Sequence, residues 1–260
     1  MRDLDESKAP LMEHLIELRK RLIWSFVALG LCFAVCFYFA DYIFAFLAQP
    51  LIDAFGGPGE GRLIYTKLYE AFFVEIRVAF FAAFFLAFPV IANQIWAFVA
   101  PGLYAKEKRA FLPFLVATPI LFTMGGALAY YVVMPTAFHF FLGFQGNLGG
   151  IEQEALPAIG DYLSLVMHFI LAFGIAFLLP VLLMLMERAG LVTRTQLKNG
   201  RRYAILIAFV IAAVATPPDV LSQLMLAIPL ILLYELSLIA IWFTERKRAR
   251  EAEAEAGPGA

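Results

Sequence analysis

Apolar residues occur in six long runs separated by short polar segments. The runs cover roughly residues 22–47, 68–99, 111–134, 162–186, 203–216 and 221–243. A helix that crosses a membrane needs about 20 apolar residues, each adding about 1.5 Å to its length. The pattern therefore predicts an all-α polytopic membrane protein with six transmembrane helices.

These runs divide the chain into three parts. Residues 1–21 are polar and precede the first run, and residues 22–243 contain all six predicted helices. Residues 244–260 are charged and rich in alanine, so we expect a disordered tail.

The N-terminal segment has the pattern of an amphipathic helix. Leu11, Leu15 and Leu18 recur at spacings of four and three residues, which places them on one helical face. Glu13 and Glu17 lie on the other face. We expect this helix to lie against the membrane with its carboxylates in water, and then to enter the bilayer.

The fifth run is unusually short. Pro217 and Pro218 end it after about 14 residues, or about 21 Å of helix, which is less than a typical hydrocarbon core. Together with a short sixth helix, it predicts either a locally thin membrane or a connecting turn drawn below the membrane surface. In both cases Asp219 lies near the far interface.

Composition excludes a soluble domain. The chain is 62% hydrophobic and 16% charged, with a mean hydropathy of +0.81. Soluble domains are about 45–50% apolar and about 25% charged.

The basic residues are strongly segregated. Of the 20 Lys and Arg residues, 17 lie in the segments on the side that holds both termini. The other side has Arg62, Lys67 and Arg77. The positive-inside rule therefore places both termini in the cytoplasm, which requires an even number of spans.

Enzyme signatures are absent from the sequence. It contains no Walker motif, dinucleotide fingerprint, serine elbow or zinc-ligand cluster. His14, His139 and His168 are far apart, and none pairs with a carboxylate at ligand spacing. We therefore predict a protein that is not an enzyme and has no metal or other cofactor.

Ionisable residues within apolar runs are functional candidates, because their burial in lipid is costly. Glu70, Glu75 and Arg77 lie near the far interface, where snorkelling or a local Glu–Arg pair would satisfy them. Gln94 could form an interhelical hydrogen bond or contact a bound peptide. Glu235 lies in the middle of the sixth run and needs a partner or water, so structural bonding and a role in transport are equally open.

Glu17 and Glu107 are acids within strongly basic segments. The simpler interpretation is a helical pair between Glu17 and Arg21, and a solvated loop charge at Glu107. The alternative is a ligand with two arginines. Each guanidinium binds a carboxylate through a planar fork, so two neighbouring arginines need two separate acids.

Three segments, in order, resemble motifs of the TatC family, the multispanning core subunit of the twin-arginine protein translocase. They are His-Leu-Ile-Glu-Leu-Arg-Lys-Arg-Leu at 14–22, the segment from Pro89 to Arg109, and Thr-Pro-Pro-Asp-Val-Leu-Ser-Gln at 216–223. The resemblance implies a concave bundle that moves folded proteins across the bacterial plasma membrane, using the proton-motive force without ATP.

The resemblance also implies which residues act. Glu17 and Glu107 would contact the paired arginines of a signal peptide, and Leu18 and Arg19 would support that surface. Gln94 is a further candidate contact. TatA and TatB, single-span subunits, would bind near the fifth and sixth helices in a complex with several copies of the chain. The bilayer is the other partner, and no nucleic acid is implied.

Three further positions match or depart from the family. Pro50 matches a proline of the first periplasmic loop, and Asp219 matches the acid of the last one. Many members carry Glu or Gln in the fourth helix where this chain has Leu178. Gln94 and Glu235 are the polar residues that could replace it in partner contacts.

Two other functions remain open. A proton-coupled small-molecule transporter would use Glu235 and Glu75 as a relay, but the sequence has no convincing inverted repeat. A structural scaffold would tolerate neutralisation of every acid.

Overall fold

The computed structural model describes residues 3–103, 112–216 and 219–255. It divides into two compact units. Unit 1 takes the described residues of Met1–Ile120 and Phe141–Met167, and unit 2 takes those of Leu121–Phe140 and His168–Ala260.

The described chain is helical, which confirms the predicted class. Its helices are α1 (Asp3–Tyr38), α2 (Ala40–Ala54), α3 (Glu70–Leu103), α4 (Leu112–Leu128), α5 (Met134–Leu142), α6 (Ile159–Ala176), α7 (Leu179–Arg188), α8 (Arg194–Asn199), α9 (Arg201–Ala215) and α10 (Val220–Glu255). A π-helical turn, Ala129–Val133, joins α4 to α5, and a short hairpin pairs β1 (Gly146–Leu148) with β2 (Ile151–Gln153).

Five segments of the described chain are long and apolar enough to cross a membrane. They are His14–Tyr38, Glu70–Phe98, Pro113–Leu142, Ile159–Arg188 and Val220–Arg246. Helix α9 has 15 residues and corresponds to the short fifth run. The sixth crossing and the orientation of the termini therefore stay predictions.

Helices α1 and α3 pack antiparallel in unit 1. His14 of α1 stacks on Phe98 near the end of α3, whereas Cys36 lies against Ala79 and Ala83 near its beginning. Both alanines are fully buried. Small side chains at this spacing allow two helices to approach closely within a membrane, where dispersion contacts hold them together.

The far end of the first apolar run differs from the prediction. The run contains two helices, which meet at Phe39 (φ −102°, ψ 18°). Pro50 is buried inside α2 rather than in a loop. A proline removes only one backbone donor, and the Gln49 side chain donates to Asp53 Oδ1 at 2.7 Å one turn later, so the helix continues to Ala54.

Glu70 fastens the start of α3 to the start of α6. Its Oε2 accepts hydrogen bonds from the backbone N–H (2.7 Å) and hydroxyl (2.8 Å) of Thr66 and from Lys67 N–H (3.2 Å). Its Oε1 accepts from Gly160 N–H at 2.9 Å. Ile64 and Ala158 form a parallel bridge beside it. The carboxylate is thus satisfied by backbone donors and the Thr66 hydroxyl, and not by the local Glu–Arg pair considered above.

Unit 2 is built on α7, α9 and α10. Leu183, Tyr234 and Leu238 form a buried cluster, and Leu197 and Ala204 pack against it. The Tyr234 hydroxyl donates to the Leu197 carbonyl at 2.7 Å and thereby holds α8 against α10.

The fourth apolar run is interrupted, and the sixth forms a longer helix than expected. The fourth run bends between α6 and α7, since Pro180 cannot donate the bond that would continue α6. The expectation of a short sixth helix is wrong, because α10 has 36 residues. It continues through Glu255, so residues 244–255 are helical and not disordered as expected.

Candidate functional site

The His14–Phe98 stack fixes the amphipathic part of α1 against the end of α3. The ring centroids are 4.2 Å apart and the rings are inclined by 16°. Trp96, on the same turn of α3, donates from Nε1 to Thr118 Oγ1 at 3.0 Å and so ties this end of α3 to α4. The surface that carries Glu17 therefore rests on a packed support.

Glu17 is partly engaged. Arg21 donates to its Oε1 from Nε at 3.0 Å and from Nη2 at 2.5 Å. Its other oxygen, Oε2, faces His14 Nδ1 at 4.0 Å. The Glu17 side chain is 35% exposed. The helical pair of the simpler interpretation is therefore present. It occupies Oε1, and Oε2 accepts no hydrogen bond from the described residues.

Leu18 and Arg19 are exposed beside Glu17, and Lys20 is exposed next to them. Gln94 is half-buried on α3, one turn before Phe98. Because α1 and α3 are antiparallel, Leu18 and Gln94 lie at the same end of the helix pair. Glu107 lies outside the described residues.

Glu235 forms an ion pair with Arg201. Arg201 Nη2 lies 2.6 Å from Glu235 Oε2, and the two side chains are 47% and 39% exposed. The pair joins the first residue of α9 to α10. The pair provides the structural bonding of the first alternative, and a role of Glu235 in transport stays a prediction.

Asp219 caps the start of α10. Its Oδ1 accepts from Ser222 N–H at 2.7 Å, the three-residue spacing of a helix N-cap. Its Oδ2 and the Ser222 hydroxyl are buried with no hydrogen-bond partner in the described part of the chain. Leu178 lies half-buried between α6 and α7.

The sequence analysis missed two long-range pairings. Glu70 and Gly160 are 90 positions apart, and nothing in either segment marks the other. Glu235 was noted, but Arg201 was counted only among the basic residues that flank the apolar runs. Only the short length of α9 hints that residues before it reach the level of Glu235. Within residues 3–103, 112–216 and 219–255, no group of three His, Cys, Asp or Glu residues could hold a metal ion.

Comparison with known proteins identifies the family. Residues 13–229 match the family model of the Sec-independent protein translocase protein TatC. The chain is 53% identical over 250 residues to TatC of Magnetococcus marinus, covering 96% of this chain and 90% of that protein. It is 38% identical over 247 residues to TatC of Escherichia coli, covering 95% and 93%.

A solved structure agrees with these relatives. The crystal structure of the twin-arginine translocase receptor TatC in DDM superposes with a TM-score of 0.75 at 41% identity, covering 87% of this chain and 98% of that one. Five apolar helices of spanning length are consistent with this likeness. The chain belongs to the TatC family and is a multi-pass membrane subunit of a Sec-independent protein translocase.

Proposed function

We propose that the chain is the signal-peptide receptor of a twin-arginine translocase in the bacterial plasma membrane. Both termini face the cytoplasm, and the end of the α1–α3 pair binds the paired arginines of folded cargo proteins. With TatA and TatB the complex exports that cargo at the expense of the proton-motive force. Family membership favours this function over small-molecule transport.

The observation that carries the proposal is the second oxygen of Glu17. Arg19, Lys20 and Arg21 make this surface basic, so it repels a basic peptide in general. Oε2 of Glu17 is an acceptor that Arg21 does not occupy. A guanidinium can use it, and can compete for Oε1 through its second donor. Glu107 supplies the second acid in this proposal.

Four positions outside this surface belong to the proposal as partner contacts. Asp219 is included because it matches the acid of the last periplasmic loop in the family. Pro50 is included on the family resemblance. Leu178 is included because many members carry Glu or Gln at this position, and Glu235 because it is a polar residue that could replace that group.

Photocrosslinking tests the receptor surface. A photoreactive side chain replaces exposed Leu18, so that Glu17 is retained, and a control replaces exposed Leu156 in a distant loop of unit 1. A signal peptide with Arg-Arg should crosslink at position 18 and not at 156. A Lys-Lys peptide should crosslink less, since an ammonium lacks the planar fork.

Glu17→Gln removes the charge but keeps the shape. A hydrogen bond to a charged group contributes about 1.5–3 kcal/mol, so binding of the Arg-Arg peptide should weaken by about tenfold to about a hundredfold. Glu60→Gln, at an exposed loop acid, is the matched control. Equal crosslinking of both peptides, together with unchanged affinity of Glu17→Gln, would remove Glu17 from the site.

A further inference from the structure

Unit 2 contains an open groove beside α9, with a volume of about 550 Å³. One wall is a single helical stripe, formed by Gly200 just before α9 and by Tyr203, Ala204, Ile207, Ala208 and Ile211 of α9. Helices α7, α8 and α10 supply the other walls, mainly through leucine side chains. The stripe follows the i, i+3, i+4, i+7 spacing of one helix face, so the groove runs along the helix.

The length of the groove matches one leaflet of a bilayer. From residue 200 to residue 211 the helix rises about 16 Å, which is about half of a hydrocarbon core of about 30 Å. Tyr203 and Ile207 on its rim are 57% and 56% exposed, so the groove is open to its surroundings. It is placed to take something that lies parallel to α9.

The polar groups in its walls are already satisfied. Tyr234 donates its hydroxyl proton to the Leu197 carbonyl at 2.7 Å. The Gln196 side chain accepts from Thr193 N–H at 2.8 Å as part of a capping box. The groove therefore offers almost only hydrocarbon contacts, and its occupant is apolar along most of its length.

One end of the groove is cationic. The Arg202 guanidinium lies over the Tyr203 ring, 4.8 Å from its centroid, and its Nη2 is 3.2 Å from the Tyr203 hydroxyl. Exposed Lys198 lies two positions before Gly200. Glu235 neutralises Arg201, but in the described part of the chain neither Arg202 nor Lys198 has a carboxylate partner. An anionic group complements this end.

A hydrocarbon chain fits this space more closely than a spanning helix does. A helix with side chains is about 10 Å wide, so a volume of about 550 Å³ would hold only about 7 Å of its length. A hydrocarbon chain is one methylene wide and can follow the stripe from end to end.

We propose that the groove binds one acyl chain of an anionic phospholipid, with the head-group phosphate at Arg202 and Lys198. The bound lipid fills the space between α7, α9 and α10. It also joins the basic start of the short α9 to the head-group layer.

Photolabelling in vesicles tests the proposal. The full chain is reconstituted in phosphatidylcholine vesicles with a small fraction of phosphatidylglycerol that carries a diazirine on its acyl chain. A second preparation uses phosphatidylcholine with the same modified chain. Labelled residues are mapped by mass spectrometry. The phosphatidylglycerol probe should label the α9 stripe more than the phosphatidylcholine probe does.

Two pairs of variants separate the head-group site from the groove. A cation near an anionic head group contributes about 1 kcal/mol, so Arg202→Gln should lower labelling by phosphatidylglycerol about fivefold, and Arg62→Gln should not. Ile207→Trp fills the groove and should lower labelling by both probes. Leu206→Trp, which is 61% exposed and lies off the stripe, is its control.

Three results would overturn the proposal. Equal labelling by the two probes would remove the anionic head-group site. Labelling at Leu206 as strong as at Ile207 would indicate only the general lipid layer. Loss of the label when TatA or TatB is reconstituted with the chain would assign the groove to a partner helix.

Discussion

At the scale of single residues, the Glu17 carboxylate has two different environments. Arg21 occupies Oε1 with two donors, and His14 approaches Oε2 without a hydrogen bond at 4.0 Å. The charge of Glu17 is therefore partly balanced within α1 before any ligand arrives. A bound arginine must displace Arg21 or share the carboxylate with it. Its binding to Glu17 is therefore weaker than its binding to an isolated carboxylate would be.

Removal of that internal partner should strengthen peptide binding. An exposed ion pair of this kind contributes about 0.2–1 kcal/mol, so Arg21→Gln should raise affinity for an Arg-Arg peptide by up to about fivefold. Fluorescence anisotropy with a labelled peptide would measure it. Lys20→Gln removes an adjacent charge without touching the Glu17 pair and should have a smaller effect. Weaker binding by Arg21→Gln would mean that Arg21 supports the ligand instead of competing with it.

The geometry around Gly160 leaves little room for a side chain. A Cβ added there would lie 2.6 Å from Glu70 Oε1, which now accepts from Gly160 N–H. Gly160→Ala should push the carboxylate away from the part-buried Gly160 N–H, at a cost of about 0.5–1.5 kcal/mol in unfolding free energy. Thermal unfolding in detergent would record the loss.

Gly30 provides the control for this substitution. It lies within α1, and nothing lies within 4 Å of a Cβ added there. Gly30→Ala should be neutral or slightly stabilising, because alanine is the better helix former. Equal thermal midpoints for Gly160→Ala and Gly30→Ala would show that stability does not depend on the hydrogen bond between Gly160 N–H and Glu70 Oε1.

At the scale of helices and strands, sequence was informative where apolar runs are long and bounded by polar residues. The run predicted at 68–99 corresponds to α3, and the run at 203–216 corresponds to α9. It was less informative inside the runs. The breaks at Phe39 and Leu178 lie between apolar neighbours inside the runs, so the boundaries of the runs do not reveal them.

The candidate site was predictable to a similar degree. Spacing and family resemblance located Glu17, but whether Arg21 engages it depended on rotamers that a sequence does not contain. The pairing of Arg201 with Glu235 depended on the position of the first residue of α9 along α10, which the sequence does not specify.

The hydrogen bond between Tyr234 and Leu197 leads to a prediction about how α8 is held against α10. Tyr234→Phe deletes only the hydroxyl that donates to the Leu197 carbonyl, at a cost of about 0.5–1.5 kcal/mol. We expect faster amide hydrogen exchange in Arg194–Asn199, with little change elsewhere in the chain. Tyr131→Phe, at a side chain that is 68% exposed, is the control. Unchanged exchange in α8 would mean that apolar packing alone holds it.

At the scale of the whole molecule, the length of α9 determines how many times the chain crosses the membrane. Its 15 residues extend about 22 Å, short of a hydrocarbon core of about 30 Å. Arg201 and Arg202 at its start can extend its reach, since long basic side chains place their charges at the interface. The distribution of basic residues also requires an even number of crossings. Both arguments predict that α9 crosses a locally thinned bilayer.

Accessibility of single cysteines decides between six crossings and five. The background variant carries Cys32→Ala and Cys36→Ala, because both native thiols lie in α1. In intact cells, an impermeant maleimide should label Glu60→Cys, in the loop before α3, but neither Thr195→Cys in α8 nor Arg250→Cys near the end of α10. If α9 failed to cross, α10 would run in the opposite direction, and Arg250→Cys would be labelled while Thr195→Cys stayed protected. Labelling of all three after the cells are permeabilised would show that each thiol can react.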